Sequence, residues 1–329
     1  MSHRTSAEVI ADSITPYGDA TRLTSMYVIF PKMILSERNR HRSFSLSDRS
    51  SRAVPPEKLI EEVREDPVMP AKFRLRTKGM GGGEELSGEE LLAAEQTWRN
   101  IARRSANHAE ALNKCGLAKE IVNRPLDPFI RMHSLMTATR DGWLNFFGLR
   151  LDPGADPTIQ ALAYICYEAY RASTPRLLQS SEWHLPFVDT DTVNAVSGFV
   201  LDEEERDQKQ FDQRSFDEHC NEIERKVSAA RCAHLSYNDL ETGKRMTVER
   251  ALAIYDKLTN SRPLHASPME HQAQVDKRGG FTDETKRYRL HDWCLHHPEQ
   301  AGNFCLGWRQ FRKMLPNEAV APFPKGYSL

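Results

Sequence analysis

The sequence lacks any run of apolar residues long enough to cross a membrane. A spanning helix needs about 20 consecutive, mostly apolar residues, and no such run occurs among the 329 residues. The first residues, Met1-Ser2-His3-Arg4, also lack the apolar core of a secretory signal. We therefore expect an intracellular, cytoplasmic protein without a membrane partner.

Cysteine pairing is missing as well. The six cysteines show no Cys-x-x-Cys spacing. Its absence is typical of reduced, mostly buried cysteines in a reducing compartment. The 12 histidines form no His-x-x-x-His pattern near a cysteine pair, so we expect no metal site. Cys232 lies beside Arg231 and near His234, which suits an activated nucleophile. It also lies on the apolar side of its segment, which favours a buried structural thiol.

An excess of positive charge is absent too. The chain has 45 Lys and Arg against 46 Asp and Glu, a net charge of −1. Without a general basic field, a nucleic acid polymer is not an expected partner. The basic charge is instead concentrated locally: residues 40–52 contain four arginines, one histidine and five serines. This loop follows the apolar run 26–30, and its donors favour docking of small anions or electron-rich rings.

The loop resembles the signature R-H-R-x-x-S-x-N-x-x-S-x-R-Y of the flavin-dependent thymidylate synthases. Ser47 stands where that family has Asn, and Ala53 where it has Tyr. The signature's other fixed positions carry Arg40, His41, Arg42, Ser45, Ser50 and Arg52.

Four further segments resemble the same family. Residues 228–237 resemble its S-A-x-R-x-A-R-x-S-[YF] segment and residues 265–271 its H-x-[ST]-P-F-E-H segment. Residues 137–150 resemble the segment that ends in N-F-x-x-L-R, and Arg124 resembles the arginine of A-R-x-x-L-P. In the common short members the first two precede the R-H-R loop. The chain therefore resembles a longer, rearranged member of a phage-like kind, which would be cytoplasmic in the host cell if phage-encoded.

The resemblance implies a fold class of α/β (α+β mixed), with helices packed on an antiparallel-rich sheet. It implies one catalytic domain over residues 1–329, with a loop and helix insertion at about 53–118 and a charged helical linker at about 200–225. It also implies a homotetramer whose sites are shared between subunits.

The resemblance further implies the chemistry. We expect a methyltransferase that carries a one-carbon unit from methylenetetrahydrofolate to carbon 5 of deoxyuridylate (dUMP), giving thymidylate, with FAD as cofactor and NADPH as reductant. A related alternative is hydroxymethylation of dUMP or dCMP at the same carbon. A lower alternative is a non-catalytic protein that binds nucleotide or flavin.

Site residues follow by motif position. The catalytic candidates are Arg150 and Arg52. The expected cofactor-binding residues are Arg40, His41, Arg42, Asn145, Ser236, His265 and Ser267. The expected substrate-binding residues are Asp48, Ser50, Ser51, Arg52, Arg124 and Arg150.

Local patterns predict the elements. Residues 21–36 predict a strand pair or a single strand that leads into the loop, with a short helix from Lys32 to Asn39. Helices are predicted at 88–118, capped by Ser87, and at 128–147, 158–172 and 247–259. Residues 53–88 are rich in Pro, Gly and charge, and they include the glycine-rich stretch 78–83, which predicts a loop. Residues 200–235 predict an exposed helix that leads into a buried one.

Overall fold

The apolar run before the basic loop forms the central strand of the main sheet. Residues Leu23–Pro31 are buried at nearly every position, because strands pair with both edges and helices or loops cover both faces. Pro31, which cannot donate to a sheet ladder, ends the strand. The computed structural model describes residues 5–50, 52–78, 82–208, 210–235, 246–261, 264–277, 295–305, 307–316 and 318.

Five strands form the main sheet in the order β3-β4-β2-β1-β5. Four of them are antiparallel to their neighbours, and only β5 runs parallel to β1. The strands are β1 (Ser6–Ile14), β2 (Leu23–Pro31), β3 (Ser45–Asp48), β4 (Arg131–Thr139) and β5 (Arg176–Leu177). The predicted mixed α/β class with an antiparallel-rich sheet is confirmed.

A smaller sheet of three antiparallel strands packs near one face of the main sheet. Its order is β6-β7-β8, with β6 at Trp183–His184, β7 at Ala273–Val275 and β8 at Trp308–Gln310. Strands β6 and β7 pair His184 with Ala273. The region after residue 264 is thereby joined to the middle of the chain.

The described helices surround these sheets. They are α1 (Leu35–Arg38), α2 (Pro56–Glu65), α3 (Gly88–Lys114), α4 (Lys119–Asn123), α5 (Arg140–Arg150), α6 (Pro157–Ala172), α7 (Thr190–Asp207), α8 (Gln213–Ala233) and α9 (Val248–Asn260). None of them is both long enough and apolar enough to span a membrane.

Helices α5 and α6 cover one face of the main sheet with an aromatic core. Trp143 of α5 stacks on Phe147, with ring centroids 5.7 Å apart, and meets Phe44 edge-on at 4.7 Å. Asp156 caps α6 by accepting a hydrogen bond of 2.8 Å from the Thr158 amide. This packing fixes the basic loop against α5, since Phe44 belongs to that loop.

Helices α2, α3 and α4 form a separate cluster with its own apolar core, built mainly from Leu59, Val63, Ala102, Ala106 and Leu126. This cluster occupies most of the region 53–118 in which the sequence predicts an insertion. Residues Pro56–Glu65 of this region are helical, and their apolar side chains face α3.

Two local predictions are wrong. Residues 128–147 are not one helix: β4 runs to Thr139 and α5 begins at Arg140. Strand β4 lies between two other strands and is buried on both faces, so its sequence does not alternate and imitates a helical spacing. Ser87 stands at the N-cap of α3 but its side chain makes no capping hydrogen bond.

The remaining helix predictions agree with the structure. Helices α3, α6 and α9 match the predictions at 88–118, 158–172 and 247–259 to within a few residues. The short helical turn after Pro31 is present as residues 32–38. The charged stretch 200–235 comprises the end of α7 and the whole of α8.

Candidate active site

The basic loop is held in place by its own backbone and by a close approach to α5. After α1, the amide of His41 donates to the Arg38 carbonyl at 3.1 Å, and the chain then enters β3. Gly142 of α5 faces the loop: a Cβ there would lie 3.0 Å from Ser43 Oγ and 2.9 Å from the Ala138 Cβ. A glycine is therefore required where the helix meets the loop.

Three of the predicted site residues meet at the exposed end of α5. His41 is buried, and its Nε2 accepts a hydrogen bond of 2.9 Å from Arg150 Nε. Arg150 Nη2 also donates to the Glu37 carbonyl at 3.1 Å, and Asn145 hydrogen-bonds the His41 ring. Phe146 meets the imidazole edge-on at 4.9 Å. These contacts orient both the arginine and the imidazole.

The surroundings of His41 keep its ring neutral. Burial, and to a smaller extent the positive charge of Arg150, lower the pKa of His41 to about 4, and the hydrogen bond with Asn145 partly opposes this. An imidazole in this state accepts a hydrogen bond at one nitrogen and donates at the other. His41 therefore positions Arg150 without adding charge.

Asp48, at the end of β3, lies in an ion pair with Arg38. The Arg38 side chain is fully buried and lies over the ring of Phe30, 5.4 Å from its centroid. Burial lowers the pKa of Arg38, and the Asp48 charge partly restores it. Arg38 Nε and Nη1 have no hydrogen-bond partner among the described residues.

A cleft of about 660 Å³ brings the loop together with segments that begin at residue 232, far away in sequence. Asp48, His265 and Ser267, three of the predicted site residues, line the same space. The remaining lining comes from Leu46, Ser47, Cys232, Ala233, His234, Leu258, Leu264, Ala266, Pro268 and Arg312.

Hydrogen bonds lock the segment 265–271 to the basic loop. His271 Nε2 lies 2.9 Å from Ser47 Oγ. Ser47 is the residue that stands where the family signature has Asn. Gln310 of β8 donates to the Glu270 carbonyl at 3.0 Å and to Ser45 Oγ at 3.3 Å. The relative placement of the two segments is thus fixed by buried polar contacts.

The two predicted arginines Arg52 and Arg124 lie elsewhere on the surface. Arg52 is exposed, with its Nε 3.9 Å from Glu120 Oε1, and its amide donates to Ser50 Oγ at 3.2 Å. Arg124 is exposed and lies one turn beyond Glu120. Glu120 thereby neutralises part of the charge of this pair.

Arg40 and Arg42 project into solvent on either side of the buried His41. Arginines in this arrangement can reach two acceptors on a phosphate each, and they remain charged at any physiological pH. The remaining predicted residues, Ser51 and Ser236, lie outside the described part of the chain. So do Gly79, Met80 and Gly81 of the glycine-rich stretch.

The sequence did not reveal every polar residue at the cleft. Arg38 lies outside the recognised signature, and its fully buried charge has no sequence mark beyond its place before the loop. Ser47 and His271 were visible as motif positions, but their mutual contact spans 224 residues. No short-range pattern reports such a pairing.

Cys232 is buried, as predicted. It exposes 1% of its surface at the wall of the cleft, and its Sγ accepts a hydrogen bond of 3.3 Å from Gln272 Nε2. Burial strongly raises the pKa of the Cys232 thiol. A thiol in this setting is a poor nucleophile. Within the described ranges, no three His, Cys, Asp or Glu side chains are grouped so as to hold a metal ion.

Comparison with known proteins gives a family match for the first half of the chain. Residues 23–176 match the family model described as thymidylate synthase complementing protein. This segment contains the basic loop, β2 to β4, the insertion, α5 and α6. No curated protein matches the chain.

Solved structures give weaker likenesses. The UMP/dUMP methylase PolB from Streptomyces cacaoi bound with 5-Br dUMP has 15% identity and a TM-score of 0.42, over 52% of this chain and 90% of that one. The same methylase bound with 5-Br UMP gives 16% and 0.42, over 52% and 89%. Thymidylate synthase X from Helicobacter pylori with FAD and dUMP gives 17% and 0.32, over 46% and 68%.

Proposed function

We propose that the chain transfers a one-carbon unit to carbon 5 of a pyrimidine deoxynucleotide monophosphate, because residues 23–176 match the family model described as thymidylate synthase complementing protein. The favoured reaction converts dUMP to thymidylate. Methylenetetrahydrofolate is the donor, FAD the cofactor and NADPH the reductant.

The observation that carries the proposal is the composition of the cleft. Asp48 of the basic loop and His265 and Ser267 of the distant segment line one space, although the sequence places them far apart. The two segments carry different motifs of the same family resemblance. Their meeting at one cleft is expected if both serve one active site.

The donors around the loop fit the requirements of FAD and of a nucleotide phosphate. Both ligands carry negative phosphates, which arginine forks and serine hydroxyls bind well. Arg40, Arg42, His265 and Ser267 would hold the cofactor, and Asn145 would face it from α5. FAD, when bound, supplies the reducing equivalents of the reaction.

The substrate side is assigned to the remaining arginines and acids. Arg150 is held by His41 and by the Glu37 carbonyl, so its guanidinium is preorganised to stabilise negative charge on the pyrimidine ring. Arg52 and Arg124 would bind the phosphate, together with Ser50 and Ser51. Asp48, oriented by Arg38, would accept hydrogen bonds from the ribose or base.

The predicted residues fall into three groups on one chain: the cleft, the end of α5 and the surface of α4. In a homotetramer with shared sites, groups from different subunits complete one another. We therefore propose that the whole chain is one catalytic domain that acts as a homotetramer, which light scattering of the purified protein would reveal.

The test is a visible spectrum of the purified protein, followed by anaerobic reduction and mixing with methylenetetrahydrofolate and either dUMP or dCMP. We expect flavin absorption and reoxidation that dUMP triggers. Reoxidation triggered by dCMP would identify cytosine as the base. Product mass separates methyl from hydroxymethyl, the alternative reaction. A protein that takes up no FAD would overturn the proposal.

A further inference from the structure

A buried row of hydroxyl and imidazole groups runs along one face of the main sheet, from β3 at the cleft across β4 and β2 to β1. It is hereafter the hydroxyl–imidazole chain, and its members in order are Ser47, His271, Thr137, Ser25, His184 and Ser13. Ser47 lines the 660 Å³ cleft, and Ser13 lines a second pocket of about 260 Å³. The chain thus joins two solvent-accessible spaces.

Every link of this chain is short enough for a hydrogen bond. Ser47 Oγ lies 2.9 Å from His271 Nε2, and His271 Nδ1 lies 2.8 Å from Thr137 Oγ1. Thr137 Oγ1 lies 2.6 Å from Ser25 Oγ. Ser25 Oγ lies 2.8 Å from His184 Nε2, and His184 Nδ1 lies 2.9 Å from Ser13 Oγ.

The fold explains this row of polar groups inside the protein. Thr137 of β4 and Ser25 of β2 are opposite each other in the antiparallel register, so their hydroxyls lie side by side on one face. His184 belongs to β6 of the small sheet above that face, where it is paired with Ala273, and His271 lies two residues before β7 of the same sheet. Thr137, Ser25, His184 and His271 expose at most 1% of their surface.

The hydroxyl–imidazole chain has only two arrangements in which every link contains one hydrogen atom. The hydrogen bond between Thr137 and Ser25 needs one hydrogen between the two oxygens. If both imidazoles carry hydrogen on Nδ1, each group donates toward Ser13; if both carry it on Nε2, each donates toward Ser47. If the two tautomers differ in one way, no hydrogen lies between the Thr137 and Ser25 oxygens. If they differ in the other way, one of these two hydroxyl hydrogens needs a further acceptor, and the described residues provide no such acceptor.

We propose that the hydroxyl–imidazole chain is a proton path between the cleft and the second pocket. The proposal rests on the proposed function for the identity of the proton. When carbon 5 is substituted, its C–H bond breaks, the electron pair stays in the ring and the proton leaves. One proton taken up at Ser47 Oγ shifts each hydrogen by one link and releases another from Ser13 Oγ, so the chain keeps its composition and changes its tautomers.

Charge and burial around the chain agree with this role. Burial lowers the pKa of His184 to about 4 and that of His271 to about 3, so both rings are neutral at pH 7, as a path of this kind requires. Glu224 lines the second pocket, and burial raises the pKa of its carboxyl. The carboxylate provides a proton acceptor at the far end.

The first test is independent of activity and uses nitrogen NMR of protein with labelled histidine. We expect both rings of the wild type to be neutral and to share one tautomer or one averaged state. Ser25→Ala and Thr137→Val remove a hydroxyl from the middle and should uncouple the two tautomers. Thr137→Ser keeps the hydroxyl and should keep them coupled.

A matched control is available on the same strand. Ser134 Oγ of β4 is buried without a hydrogen-bond partner in the described part of the chain, so Ser134→Ala removes a hydroxyl outside the path. It should leave the tautomers coupled. Unlike tautomers in the wild type, or coupling that survives Ser25→Ala, would overturn the path; the wild-type result decides even if the variants fail to fold.

The second test measures turnover. Thr137→Val should slow turnover roughly tenfold or more at unchanged nucleotide affinity, and Thr137→Ser should restore it. Full activity of a folded Thr137→Val protein would overturn the role of the path in the reaction. Coupled tautomers in a protein that converts no pyrimidine nucleotide would refute the proposed reaction and keep the path. Uncoupled tautomers in an active enzyme would refute the path and keep the proposed reaction.

Discussion

Arg38 and Asp48 form an ion pair across the floor of the basic loop in which only the acid reaches solvent. The Arg38 side chain is fully buried, whereas Asp48 keeps 30% of its side chain exposed at the cleft. A buried guanidinium depends on its partner far more than an exposed carboxylate does. The pair therefore makes the stability of the loop depend on a residue of the proposed substrate site.

Replacing Asp48 with Asn tests this dependence. The change leaves the buried charge of Arg38 without a counter-charge, so we expect the free energy of unfolding to fall by about 1–3 kcal/mol. The expected loss is smaller than for a fully buried pair because Asp48 contacts water. Urea unfolding of the wild type and of Asp48→Asn gives the value.

The matched variant is Arg38→Met, which removes the buried charge and leaves Asp48 to be solvated at the cleft. We expect a smaller loss of stability than in Asp48→Asn, and little further loss in the double variant. An Asp48→Asn protein as stable as the wild type would contradict the asymmetry of the pair.

Acid should destabilise the protein over a defined pH range. Burial lowers the pKa of His41 and His184 to about 4 and that of His271 to about 3, from an ordinary value of 6.5. Below pH 6.5 the unfolded chain binds protons that the folded protein does not, so stability is complete above pH 6.5 and is lost as pH falls toward 4.

The measurement is the free energy of unfolding in urea at pH 7, 6 and 5. The slope against pH should approach about three protons per molecule near pH 5, and His41→Asn should reduce it by about one. A free energy that does not change between pH 6.5 and pH 5 would show that these three imidazoles are protonated in the folded protein.

The sequence predicted the parts of the fold that local periodicity encodes. Helices α6 and α9 have one apolar face each, and β2 carries the apolar run 26–30, which Pro31 ends. Strand β4 was mistaken for helix because both of its faces are buried, which removes the alternation that marks a strand. The strand conformation of β4 depends on its pairing with β2 and β3, which the residues of β4 alone do not reveal.

The candidate site shows the same division. The motif positions named His41, Asn145 and Arg150, which the structure brings into contact. The contacts of Ser47 with His271 and of Ser25 with His184 join residues 224 and 159 positions apart. Such pairs depend on how two sheets pack, so a single sequence does not contain a local signal for them.

Arg150→Ala should impair the reaction without unfolding the protein. Loss of a preorganised donor at a developing negative charge lowers turnover by roughly 10²–10³-fold. In the wild type, the positive charge of Arg150 lowers the pKa of the His41 imidazole, and the same change removes that charge. The pKa of His41 should therefore rise, and a histidine NMR titration would measure it.

Arg171→Ala is the control for charge alone. Arg171 is exposed on α6, where it pairs with Glu168 at 3.7 Å, away from His41. It should change neither turnover nor the His41 titration. An Arg150→Ala protein with full turnover would remove Arg150 from the catalytic residues, whatever happens to the pKa of His41.

Cys232→Ser separates a structural thiol from a nucleophilic one. Cys232 is buried at the cleft wall, its pKa is raised by burial, and its Sγ accepts a hydrogen bond from Gln272, a contact that a serine hydroxyl can also accept. We expect the variant to keep most of the wild-type turnover and nucleotide affinity. A folded variant that binds nucleotide but is inactive would instead assign the chemistry to this cysteine. Because Cys115 is exposed, alkylation of the native protein should modify Cys115 and spare Cys232, which peptide mass analysis would show.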